Sequence, residues 1–168
     1  MIHITMLQKL KVGLNQLRHN DMNLYDCIVI GGGPAGMSAS LNLKRMGKSV
    51  LILEKEAFGG QIATSPRVEN IPGFKEISGL DFSNLFFEQL SDLDVEFDMD
   101  EIINIKKEND IFVIKGQYST YQSKTVIIAV GVTHRHMGIA REEELVGKGV
   151  SYCAVCDGAF YKDKVVSV

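Results

Sequence analysis

Apolar residues along this chain fall into short unbroken runs and longer spaced series, and the two patterns predict different elements. The runs Tyr25-Asp-Cys-Ile-Val-Ile30, Ser49–Leu53 and Thr125–Val130 have the length and apolar character of strands buried on both faces of a sheet. The first stops at three glycines, Gly31 to Gly33. Pro34 through Met46 then spaces Met37, Leu41 and Leu43 as a helix would, with Gly47 as its stop. Strand, glycine turn, helix and a strand closed by Glu54 make one βαβ unit.

Helical spacing returns after Ser78, a natural cap, where Leu80, Phe82, Leu85, Phe86 and Leu90 predict a broad apolar face. Val95–Phe97, Ile102–Ile105 and Ile111–Ile114 are shorter strand candidates, and Glu108-Asn-Asp110 supplies a turn between the last two. Between Gly59 and Gly79 the chain is rich in Gly, Pro, Ser and Thr and reads as a long ordered loop, a type that is usually functional. Thr133 to Gly149 reads as a polar linker with the acidic run Glu142–Glu144, and Lys164-Val-Val-Ser-Val168 as a strand. The first 22 residues carry Leu7, Leu10, Leu14 and Leu17 at helical spacing, with no acid before Asp21. They lack the Ser and Arg enrichment of a transit peptide and the unbroken apolar core of a secretory signal. They read as a poorly packed extension ahead of Met22.

The chain of 168 residues fits one domain, or one domain and the beginning of another. Its 45% apolar content is enough for a packed core, and a net charge of −3 with mixed signs advertises no nucleic-acid surface. The apolar runs are too short to cross a bilayer. Three cysteines, two of them in one C-x-x-C, rule out a secreted-type disulfide framework and suit a reducing cytoplasm.

Two motifs carry chemistry. Gly31-x-Gly33-x-x-Gly36 follows a strand and opens a helix, with Glu54 about 20 residues on, the arrangement of a dinucleotide site. The first glycine makes the tight turn, the second lets backbone approach a pyrophosphate, and the third packs helix on strand. Glu54 stands where ribose hydroxyls would be bound. The second motif, Cys153-Ala-Val-Cys156-Asp157, has three readings. Zinc needs more ligands, and His134 and His136 complete no familiar spacing. An inert buried pair is the second. A redox pair is the third, favoured by the nearby dinucleotide motif: a helix beginning near Cys156 would raise thiolate character, and Asp157 could protonate a leaving thiolate or cap the helix. Cys27 lies among Ile and Val and reads as core. His134 and His136 read as solvated.

These residues also carry a resemblance. Gly31-Gly-Gly-Pro-Ala-Gly36, Gly59-Gly-Gln-Ile62, Val68-Glu-Asn-Ile-Pro-Gly73, Ile128-Ala-Val-Gly131 and Gly149-Val-Ser-Tyr-Cys-Ala-Val-Cys-Asp-Gly158 resemble, in order, segments of the low-molecular-weight bacterial-type thioredoxin reductases. The resemblance implies an α/β fold: a FAD-binding Rossmann-like βαβ domain over 23–132 with a small antiparallel β-meander, incomplete. Residues 133–168 would be a linker, the redox C-x-x-C and the start of a second, nicotinamide-binding domain.

It further implies FAD held by Gly31, Gly33, Pro34, Ala35 and Gly36 at the pyrophosphate and Glu54 at the ribose. Gly60, Gln61, Thr64 and Asn70 would lie on the flavin side, Ile102 at the adenine, and Ala129 and Gly131 along the groove. Cys153 and Cys156 would be the redox disulfide and Asp157 its acid. Electrons would pass from NADPH or NADH through FAD to the disulfide and on to thioredoxin, in a cytoplasmic homodimer with no nucleic-acid or membrane partner. No second glycine fingerprint follows residue 168, so the chain is expected to be an N-terminal fragment, weak in FAD binding and turnover alone. Val130 and His134 depart from the family's usual residues. Alternatives from other classes stay open: a non-catalytic FAD-binding module, or a relative serving a peroxiredoxin or drawing electrons from ferredoxin.

Overall fold

A computed structural model describes the backbone of residues 23–167, and their side chains apart from Val155, Cys156, Ala159 and Phe160. The extension expected over residues 1–22 lies outside the described residues. Two compact units divide the chain, one running to Gly131 and one beginning at Val132.

The first unit is built on a six-stranded sheet. Its elements are β1 (Leu24–Ile30), α1 (Pro34–Arg45), β2 (Val50–Glu54), α2 (Gly79–Asp92), β3 (Glu96–Met99), β4 (Ile102–Glu108), β5 (Ile111–Gly116) and β6 (Thr120–Ile128). The strand order is β3-β2-β1-β6-β5-β4. β3, β2, β1 and β6 pair in parallel, while β4, β5 and β6 form an antiparallel meander that shares β6 with the parallel set. The architecture is the expected Rossmann-like α/β sheet with its meander.

Alternation along β1 and β2 distributes the core. Cys27, Val29, Val50 and Ile52 point to one face and pack with Met37 of α1, Leu90 of α2, and Val95 and Phe97. Ile28, Ile30, Leu51 and Leu53 point to the other and gather with Ile114 and Tyr121. Burial on both faces is why these strands read as unbroken apolar runs. At the mouth of the strands Asp26 of β1 accepts from the Ser49 backbone N–H at 3.1 Å and from Lys124 Nζ at 2.8 Å, tying β1 to both its neighbours.

A polar network closes the junction between β3 and the meander. The Tyr121 hydroxyl stands 3.0 Å from Oδ2 of both Asp98 and Asp100, and all three residues are buried. Asp100 also accepts from the backbone N–H groups of Gln117, Tyr118 and Ser119, so one carboxylate satisfies a whole turn. Burial, followed by the Asp98 charge, pushes the Tyr121 phenol well above its ordinary range.

Several local expectations need correction. The buried side of α2 is carried by Ser83, Phe86, Phe87 and Leu90, while Leu80 and Leu85 are exposed. The Gly59–Gly79 segment is not a bare loop: it holds a 3₁₀ turn (Gly60–Thr64) and a bridge between Val68 and Ile77. β6 starts five residues before the expected Thr125, because Tyr121 and Ser123 alternate inward between polar neighbours. It ends at Ile128, short of the expected Val130, and both of those residues are exposed.

The second unit holds two single helical turns, α3 (Glu142–Leu145) and α4 (Ala154–Asp157), and a 3₁₀ turn (Gly158–Tyr161). The segment read as a polar linker is pinned by Glu142, which is buried and accepts from the N–H groups of Met137, Gly138 and Ile139. Burial alone would push its carboxyl up. The three N–H donors and His136 outweigh that and hold it below its usual range. His136 Nδ1 lies 3.1 Å from Glu142, and the His134 ring stacks on Tyr152 at 3.7 Å, so both histidines are exposed yet engaged rather than freely solvated. The strand expected at Lys164–Val168 is absent over the described residues 164–167. A strand exists only within a ladder, and these residues have no strand partner among the described residues.

Candidate cofactor and disulfide sites

Register alone brings the first site together. Ile30 pairs with Leu53 on one side and Ile128 on the other, so Gly31, Glu54 and Ala129 emerge side by side at the carboxyl ends of three adjacent parallel strands. That is where ligands bind in open α/β sheets. Gly31 N–H donates to the Leu53 carbonyl and Ala129 N–H to the Ile30 carbonyl, both at 2.8 Å.

The four glycines of this turn meet different surroundings. Gly31 takes φ of +108°, and a Cβ there would stand 2.3 Å from the Ala129 carbonyl oxygen. A Cβ on Gly32 would strike the Phe58 ring at 2.7 Å, and one on Gly36 would lie 1.9 Å from the Gly31 carbonyl oxygen. Gly33 differs: among the described residues a Cβ there would meet nothing within 4 Å, and its φ of −76° is open to any residue. Protein packing explains three of these glycines and leaves Gly33 unexplained. Beside it, Gly60 brings its own Cβ direction to 3.3 Å from the Gly33 Cα.

The walls are fixed by hydrogen bonds. Glu54 Oε2 accepts from Gly32 N–H at 2.6 Å and Oε1 from Glu56 N–H at 2.9 Å. Gly59 N–H donates to the Gly32 carbonyl at 2.9 Å, which docks the 3₁₀ turn against the glycine loop. Phe58 packs beneath with Phe87 and Phe97, at centroid distances of 5.1 and 5.4 Å. α1 opens at Pro34 with no acid in its first turn, so its N-terminal N–H groups and dipole face the loop without a competing carboxylate.

The expected cofactor residues are therefore partly assembled. Gly31, Gly33, Pro34, Ala35, Gly36, Glu54, Gly60 and Ala129 surround one mouth. Gln61 and Thr64 lie in the adjoining 3₁₀ turn, where the Thr64 hydroxyl donates to the Gln61 carbonyl at 2.8 Å. Gly131 follows in the left-handed region, with φ of +65°. Asn70 is exposed in the segment beyond the 3₁₀ turn, and Ile102 opens β4 opposite Gly116. No described hydrogen bond joins those two to the glycine loop. Phe58 and Gly32 join these residues at the site, and the middle glycine of the Gly31–Gly33 row is the signal the sequence offers for that contact.

The second site lies wholly in the second unit. Cys153 directly precedes α4 and is disulfide-bonded; the Cys156 side chain lies outside the described residues. α4 begins at Ala154 rather than near Cys156. Asp157 closes that turn, its N–H donating to the Cys153 carbonyl at 2.9 Å, so it is no N-terminal cap. Its carboxylate instead accepts from the Ser151 hydroxyl at 2.6 Å, and Ser151 Oγ accepts from Cys153 N–H at 3.1 Å. Cys27 is a buried free thiol in the sheet core, as expected. Among the described residues no cluster of His, Cys, Asp and Glu could hold a metal ion.

A family profile described as pyridine nucleotide-disulphide oxidoreductase matches residues 25–168, nearly all of the described chain. The chain belongs to that family. It is 41% identical over 149 residues to the thioredoxin reductase of Bacillus subtilis, covering 89% of this chain and 47% of the relative. It is 46% identical over 148 residues to the thioredoxin reductase of Helicobacter pylori, covering 86% and 48%. The crystal structure of thioredoxin reductase from Streptococcus pyogenes superposes with a TM-score of 0.81 at 40% identity, over 85% of this chain and 47% of that one. The chain thus spans about half the length of the curated relatives it matches.

Proposed function

We propose that this chain provides the FAD-binding unit and the redox disulfide of a thioredoxin-disulfide reductase. Electrons would run from NADPH or NADH through FAD to a Cys153–Cys156 disulfide and then to thioredoxin. One observation carries the cofactor assignment. Gly33 is kept free of a side chain although nothing among the described residues occupies that space. Backbone held open at a helix N-terminus, at the carboxyl ends of parallel strands, is suited to a pyrophosphate.

The residues present fit the group. Gly33, Pro34, Ala35 and Gly36 would bind the pyrophosphate through backbone N–H groups where a residue has one, and Gly31 sets the turn. Glu54 is held by Gly32 and Glu56 N–H groups, and its remaining lone pairs can accept from ribose hydroxyls. Gly60, Gln61, Thr64 and Asn70 would form the flavin side, with Ile102, Ala129 and Gly131 along the remainder of the groove. Bound FAD supplies a two-electron carrier between a nicotinamide and a disulfide. The chain's own share of the chemistry falls to Cys153, Cys156 and Asp157. One sulfur would form a mixed disulfide with the partner while Asp157 moves a proton at its carboxylate. Thioredoxin as partner, a homodimeric assembly and a cytoplasmic setting belong to the same proposal.

A thiol count after flavin reduction separates this reading from a non-catalytic flavin module. Photoreduction of protein-bound FAD should make the pair at Cys153 and Cys156 reactive towards a thiol reagent. Thiols that stay blocked while the flavin bleaches would favour the module.

A further inference from the structure

We infer that Ser151 is the positioning residue for the acid at Asp157, through a closed ring of hydrogen bonds that also includes the Cys153 backbone. The inference rests on the proposed disulfide chemistry and adds to it a residue that the C-x-x-C-D pattern does not contain. Three bonds define the ring. Ser151 Oγ donates to Asp157 Oδ2 at 2.6 Å, Cys153 N–H donates to Ser151 Oγ at 3.1 Å, and Asp157 N–H donates to the Cys153 carbonyl at 2.9 Å.

A serine hydroxyl has one proton to give. The Cys153 carbonyl lies 3.4 Å from Oγ, a long contact, whereas 2.6 Å to Asp157 Oδ2 is a short, well-made O–H···O bond. The proton therefore goes to Asp157. Oδ2 is tied back towards Ser151, and Oδ1 takes no hydrogen bond among the described residues. The carboxyl is oriented with one oxygen committed and one available to carry a proton. Asp157 sits at the end of a single helical turn, where its side chain would otherwise be free to rotate.

The reaction this arrangement serves can be followed with a small dithiol and needs no flavin. A dithiothreitol thiolate attacks one sulfur of the protein disulfide, and the S–S bond breaks. The departing sulfur leaves as a thiolate and takes the proton from Asp157, which is replenished from water. The reagent's second thiolate then attacks the reagent sulfur of that mixed disulfide, closing the ring and expelling the remaining protein sulfur as a thiolate that takes its proton from water. The reagent ends as a cyclic disulfide, and the protein as two thiols.

The experiment measures the rate at which thiols appear when the oxidised chain is mixed with dithiothreitol at fixed pH. Asp157→Asn should slow it by about a hundredfold, the low end of general acid catalysis. Ser151→Ala should slow it by about tenfold, the loss of the one hydrogen bond that orients the carboxyl. Ser151→Thr, which keeps a hydroxyl, should restore most of the rate. The double variant Ser151→Ala/Asp157→Asn should be no slower than Asp157→Asn, because the serine acts only through that carboxylate. A Ser151→Ala rate equal to wild type, or a double variant slower by the product of the single effects, overturns the inference. The second outcome would mean that the serine merely holds the segment together. A wild-type rate in Asp157→Asn would instead remove the proposed acid, and with it the reading on which this inference stands.

Discussion

Gly33 and Ser151 illustrate how unevenly single residues announce their roles. Gly31 and Gly36 are glycines because carbonyl oxygens crowd the Cβ positions, at 2.3 and 1.9 Å. Gly33 is crowded by nothing among the described residues, so packing does not account for it, and its place at the helix N-cap suits a bound ligand as well as a glycine cap. The sequence pattern names all three alike, and only the coordinates separate them. The role of Ser151 has no sequence signal, because its partners lie two and six residues away across a turn that starts at Ala154 rather than near Cys156. Asp26 permits a prediction at this scale. Its hydrogen bond from Lys124, followed by the Ser49 backbone N–H, lowers its carboxyl from 3.8 to about 2. A depressed folded-state value means that its stabilisation is present above the unfolded value and disappears as pH falls through the folded one. Urea midpoints followed from pH 7 downward should show Asp26→Asn less stable than wild type near neutrality. The gap should close between about pH 4 and pH 2. The group is solvent-screened, so added salt should narrow the gap at every pH.

Elements were legible wherever one physical requirement dominated. β1, β2 and α1 followed directly from apolar runs and a glycine stop, because parallel strands bury both faces. The turn at Asn109 and Asp110 was legible too, and both residues take positive φ there. β6 was only half read: its first half alternates polar and buried residues, and Tyr121 and Ser123 face inward with their hydroxyls satisfied. Lys164–Val168 erred the other way, since valines favour strands but cannot supply a ladder partner. The cap of α2 offers a clean test at this scale. Ser78 Oγ accepts from Asp81 N–H at 3.0 Å and donates to Asp81 Oδ2 at 2.7 Å. Ser78→Ala should cost about 1 kcal/mol in chemical denaturation, while Ser78→Thr, which keeps both the acceptor and the donor, should recover most of it.

At the scale of the molecule, the parallel strands decide what the chain can do. They deliver the glycine loop, Glu54 and Ala129 to the carboxyl ends of adjacent strands, and the meander extends the same sheet from β6. The second unit contributes a separate chemical part, a disulfide-bonded cysteine with an acid fixed by hydrogen bonds. Membership of the pyridine nucleotide-disulphide oxidoreductases was legible because both parts are written as short contiguous motifs. The supporting contacts were not legible, because Phe58 under Gly32, Asp100 under its turn and Glu142 under residues 137–139 act across gaps in sequence.

The central claim is that an open backbone position, Gly33, exists to admit the pyrophosphate of FAD. Titrating FAD fluorescence with wild type and with Gly33→Ala tests it most directly, with thermal melts as the control on folding. The two proteins should differ in stability by no more than a neutral surface change, about 0.5 kcal/mol, since the added methyl meets no atom of the described residues. Wild type should quench FAD saturably, if weakly, and the variant should bind at least tenfold more weakly. Equal FAD binding by wild type and by a correctly folded Gly33→Ala would contradict the account.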